Sequence, residues 1–138
     1  MTRINKKISP SMDEWLKEAK SDRIASQEGM YLVHNGVVRQ TPKMKVRNSL
    51  DDGSIVIGMD FSFDKDKVDT AIAKTYEMEG IFHVKVWLNE GYLEVGDDIM
   101  YVLIGGDIRP HVIDALQFLV ETIKTKCVVE IEQKVTVL

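Results

Sequence analysis

Two arginines stand where an anion would be bound. Arg109 opens a helical stretch, and a cation in a helix's first turn opposes the helix dipole, so an anionic partner is the natural compensation there. The same helix start offers free backbone N–H groups, and Gly105-Gly106 just before it let a ligand come close to the chain. Arg39 ends a strand three residues after Gly36. Guanidinium forks can grip an anion through two parallel hydrogen bonds, although an arginine at a strand end is more often a solvated charge. Lys124 closes the long helix, where the dipole favours lysine with or without a function. His34, His83 and His111 are scattered, which points away from a metal site; of the three, His111 is nearest to Arg109. The lone Cys127 excludes an internal disulfide and a multi-cysteine zinc site, and its valine neighbours suggest a small buried hydrophobe.

The elements that position these groups follow from periodicity. Residues 1–10 read as a loose tail, and 11–138 as one domain. Ser11-x-x-Glu14 is a capping box opening a short helix with Trp15, Leu16 and Ala19 on one side. Met30 to Arg39 reads as a strand in which Gly36 suggests a bulge or a close backbone approach. Residues 40–53 read as an exposed loop ending in the Asp51-Asp52-Gly53 turn, and Ser54 to Phe63 as a second strand. Asp64 caps a helix to about Met78, with Val68, Ala71, Ile72, Thr75 and Tyr76 on one face. Strands are expected at 81–88, 92–95 and 99–104, then a helix over 109–124. The last segment alternates Val129, Ile131, Val135 and Val137 with Glu130, Glu132, Lys134 and Thr136, which predicts a half-buried strand with its glutamates in solvent. Three helices and hairpin-linked strands make an α+β domain with a mixed or antiparallel sheet.

Hydrophobic residues are 44% of the 138 and the formal charge is −4, which suits one packed core and disfavours a nucleic-acid binder. No run approaches the roughly 18 apolar residues of a membrane span. No signal peptide is recognisable at Met1 to Lys7, so a cytoplasmic location is expected.

Four stretches, in order and at matching spacing, carry a resemblance. They are His34-Asn35-Gly36-Val37-Val38-Arg39, Gly91-Tyr92-Leu93-Glu94-Val95-Gly96-Asp97, the apolar strand before Asp107 with Arg109 and Ala115, and Ile123-Lys124. Across about residues 12–134 the chain resembles the large, catalytic subunit of molybdopterin synthase. That resemblance implies an α/β-hammerhead fold with added β structure and a homodimer. It implies a ubiquitin-like small subunit whose C-terminal Gly-Gly thiocarboxylate enters the pocket, and a cyclic pyranopterin monophosphate that receives two sulfurs. It implies Lys124 as the reactive or acid–base lysine and Arg39 and Arg109 on the substrate phosphate, with His111 and Lys134 as further binding candidates. No metal and no resident cofactor are called for.

The sequence departs from the family pattern at three places. Ile131 stands at a second lysine, Ile108 at the histidine before Arg109, and Leu88-Asn89 at another His-Arg pair. These substitutions keep a second expectation beside the enzyme: a relative that binds a pterin, a molybdenum species or a ubiquitin-like partner as a dimer without turnover. A third is a structural or regulatory dimer contacting through Lys43, Lys45 and Arg47.

Overall fold

The computed structural model describes residues 8–136. In chain order the elements are α1 (Met12–Lys20), a 3₁₀ turn (Arg23–Gln27), β1 (Met30–Val37), α2 (Lys43–Asn48), β2 (Ser54–Phe63) and α3 (Lys65–Tyr76), then β3 (Ile81–Leu88), β4 (Gly91–Glu94), β5 (Asp98–Gly106), α4 (Arg109–Thr122), a π turn (Ile123–Cys127) and β6 (Val128–Thr136). The α+β class expected from the sequence is the one observed. Most of the expected tail, Met1–Lys7, lies outside the described residues, as does Val137; Ser9 at the tail's end donates from Oγ to Asp98 Oδ2.

The strands form two antiparallel three-stranded sheets, in the orders β1-β5-β3 and β4-β2-β6. Each centres on the strand with the most apolar inward face. Val102, Leu103 and Ile104 of β5 are wholly buried, and Val56, Met59 and Phe61 of β2 nearly so. Helix α4 covers the first sheet with Val112, Ala115 and Leu119, and Val68 and Ala71 of α3 join the same core. Local signals explain the boundaries. Asp64 caps α3 by accepting from the backbone N–H of Asp66 and Lys67, and Ser11 caps α1 by accepting from Glu14 N. The register between β1 and β5 shifts at Gly36/Val37, the bulge suggested there. No helix among the described residues is long and apolar enough to cross a membrane.

Two expectations are corrected. Within the 40–53 segment lies a fourth helix, α2, rather than only a loop. Pro42 fixes an extended entry, Ser49 at φ 58 ends it in the left-handed conformation, and the Glu132 carboxylate accepts from Lys43 N at 3.1 and 3.3 Å. A side chain 89 residues away in sequence thus caps it, which local pattern cannot reveal. The phase of β6 is also inverted. Val129, Ile131 and Val135 are 55%, 53% and 43% exposed, whereas the Glu130 side chain is only 3% exposed. Alternation defines two faces but not which one is covered. Here α2 and the π turn cover the glutamate face, and lysines from both neutralise it.

Candidate active site

Lys124 sits in the π turn that follows α4. Inserting a π turn widens the helix at its end, and such turns recur at functional sites. Ile123 before it is fully buried and Cys127 nearly so, so the turn is anchored at both ends while Lys124 stays partly exposed. The Lys124 Nζ donates to Glu130 Oε2 at 2.7 Å. From α2, Lys43 Nζ donates to the other oxygen, Oε1, at 2.8 Å. Burial pushes the Glu130 carboxyl up, but the hydrogen bonds and charges of Lys124 and Lys43 outweigh it and hold the group below its usual range. His34 of β1 borders the same region. Its burial, and next the charge of Lys124, lower the imidazole's proton affinity, so it faces the lysine as a neutral ring near pH 7.

The other predicted residues are dispersed. Arg39 is exposed, and its Nε donates to the Thr41 carbonyl at 3.1 Å, at the root of α2. Lys134 lies on the Glu130 face of β6, four residues on and therefore about 13 Å away along the strand; its Nζ meets Met44 Sδ at 3.6 Å. Arg109 and His111 are at the far end of α4 from Lys124, about 20 Å along the helix axis. One protomer thus brings Lys124, Lys43, Glu130 and His34 together, with Arg39 and Lys134 at the α2 margin, and leaves Arg109 and His111 apart. At the positions of family departure, Asn89 is buried and its Nδ2 donates to Asp98 O at 2.9 Å, which makes it a hairpin brace. Ile108 is half-exposed at the α4 N-cap.

His111 has its own partners. Its Nδ1 lies 2.7 Å from Asp107 Oδ1, and its Nε2 lies 3.7 Å from Glu79. The hydrogen bond to Asp107 raises the His111 pKa against a smaller burial effect, with Asp107, Glu79 and Asp114 adding charge. The same bond lowers Asp107. A histidine raised on folding stabilises fully below its unfolded value of about 6.5 and loses that contribution as pH rises through its folded value. Asp107 adds its share only above about 3.8. His111→Gln is therefore expected to lower the melting temperature at pH 5.5 and to match the wild type more closely at pH 8.5. Thermal melts at both pH values check this, and an equal gap at both would refute it.

A groove of about 800 Å³ runs between α3 and the end of α4 and is lined by Lys67, Lys74, Phe118, Lys126 and Cys127. None of the predicted residues lies in it. Burial raises the Cys127 thiol, as its reading as a small core residue expects. Sequence reading missed Lys43 and Glu130. The only available signal was a lysine just after Pro42 in a segment otherwise free of apolar pattern.

Comparisons with known proteins bear on the fold and the family. Molybdopterin synthase from Staphylococcus aureus superposes with a TM-score of 0.69 at 17% identity, covering 91% of this chain and 87% of that one. A molybdopterin biosynthesis MoaE protein from Burkholderia ambifaria gives 0.68 at 15%, covering 93% and 84%. A complex of subunits 1 and 2 of the molybdopterin-converting factor from Helicobacter pylori gives 0.61 at 17%, covering 90% and 79%. These likenesses establish the fold. A search of curated protein sequences found no match. The model of the MoaE protein family matches residues 9–126, a span that includes β1, the β4 turn, α4 and Lys124, and the chain belongs to that family.

Proposed function

We propose that this protein is the large subunit of a molybdopterin synthase, working in molybdenum cofactor biosynthesis in the cytoplasm. It takes sulfur from the C-terminal thiocarboxylate of a ubiquitin-like small subunit and inserts it into cyclic pyranopterin monophosphate. The observation that carries the reading is Lys124, held at 2.7 Å from a buried carboxylate in a π turn, in a chain whose family match spans that residue. A lysine fixed in this way keeps donors free for an anion and can act as a nucleophile or acid–base group. Each sulfur delivered leaves the small subunit's acyl carbon to be released by water as an ordinary carboxylate, so the partner is spent stoichiometrically. Arg39, at the root of α2, is assigned to the substrate phosphate.

A homodimer fits two features. The outer face of β6 carries exposed Val129, Ile131 and Val135, an apolar row of the kind that marks an interface. Arg109 and His111, too far from Lys124 within one chain, reach a substrate only at a site shared between copies. The test is reconstitution. The purified chain, first sized by sedimentation, is mixed with a thiocarboxylated small subunit and the pyranopterin precursor. A dimer that forms molybdopterin is the expected result. A folded dimer that binds the precursor without product would overturn the enzyme reading in favour of a binding relative.

A further inference from the structure

Glu130 is the most deeply buried charged side chain around Lys124, and it does not serve Lys124 alone. Its two oxygens are divided between two lysines from separate elements, Lys124 of the π turn and Lys43 of α2. The two ammonium nitrogens therefore cannot stand farther apart than those two bonds plus the width of one carboxylate. Burial is graded across the trio: the carboxylate side chain is 3% exposed, Lys124 27% and Lys43 40%. The anion is thus the floor and the cations the rim. Each ammonium has three donors and spends one on Glu130, which leaves two on each lysine for another partner. The neighbouring carboxylate, Glu132, is committed to the backbone N–H of Lys43 and fixes the start of α2. Lys134, about 13 Å along the strand, stands apart from the pair against Met44. Two cations clamped side by side with donors to spare form a site for an oxyanion, whose two oxygens match two donors.

We propose that Lys43 is a second anion-binding residue of this site, paired with Lys124 by Glu130, and that the pair takes one oxyanion of the reaction partners. The proposal rests on the synthase reading for the identity of that anion, which is either the substrate phosphate or the terminal carboxylate-like group of the small subunit. Glu130 is the positioning residue: it sets the spacing of the two lysines and leaves the substrate-facing side to them.

The test is steady-state kinetics of Lys43→Ala and Lys43→Arg in the dimeric protein, with the exposed Lys45→Ala as a control. Loss of one charge-assisted contact predicts a 10- to 100-fold rise in KM for whichever partner carries the anion. A rise for the pterin identifies the phosphate, and a rise for the small subunit identifies its terminus. Lys43→Arg restores most of the loss, because charge and reach are kept; a purely structural role for Lys43 would instead appear as a lower melting temperature with unchanged KM. Both KM values within twofold of the wild type would overturn the proposal. If the wild type itself makes no product, the synthase reading fails, and the anion site is read separately by lysine acylation mapped by mass spectrometry. Protection of both Lys43 and Lys124 by inorganic phosphate, or by a Gly-Gly-terminated peptide, supports the pair; an unprotected Lys43 with both probes refutes it.

Discussion

Lys124→Ala is expected to lower the rate of sulfur transfer by about 10²- to 10⁴-fold, the range in which a single acid–base or nucleophilic group contributes. The fold is expected to survive. Glu130 keeps Lys43 on Oε1, so its buried charge is not orphaned, and the loss is that of one charge-assisted hydrogen bond, about 1.5–3 kcal/mol. Circular dichroism and a thermal melt establish that the variant is folded, and single-turnover product formation measures the chemistry. Lys124→Arg separates the two roles. Arginine can bond Glu130 and recover the melting temperature, but it does not attack as an amine. It should therefore regain stability without turnover. Full activity in Lys124→Ala would remove this residue from the chemistry and shift attention to Lys43.

What the sequence revealed and what it hid divide along a physical line. Features set by a few consecutive residues were legible. Asp64 caps α3, Gly36 marks the bulge, and the apolar face of α3 buries Val68, Ala71 and Thr75. Features set by what lies across the fold were not. The Val129-Glu130-Ile131 alternation is the same whichever side is covered, and it was the arrival of α2 that turned the glutamates inward. Lys43 looked like any solvated lysine because its partner is 87 residues away. The π turn changes the helix by one residue per turn and leaves no distinct pattern, so the expected helix ran straight through to Lys124. The family pattern ending in Ile123-Lys124 singled out one residue of the cluster, while the partners Glu130 and Lys43 meet it through tertiary contacts. Arg109 matched the family pattern by its spacing, and helix rise carries both it and His111 away from Lys124 in the same protomer.

Ile123→Ala tests how far the chemistry depends on packing beneath it. Ile123 is fully buried in the main core and is the last residue before Lys124. Removing its branched side chain loses transfer free energy and leaves a cavity under the π turn, together about 2–5 kcal/mol. That is a large part of the roughly 5–15 kcal/mol a domain of this kind commands, so the variant should melt well below the wild type while still folding in the cold. Activity should fall further than the folded fraction does. The turn holds Lys124 on Glu130 only while its apolar ends are seated, and a lysine displaced by even about 1 Å loses its alignment at a cost of about 10²-fold. Ile123→Val, costing about 0.5–1.5 kcal/mol, should keep both the turn and most of the rate. The check is specific activity per folded molecule, measured at a temperature where both variants are fully native. If Ile123→Ala is destabilised but fully active per folded molecule, Lys124 is placed by its ion pair with Glu130 alone. If activity falls with the packing, the buried isoleucine, the π turn and the carboxylate act together as one device that presents the lysine.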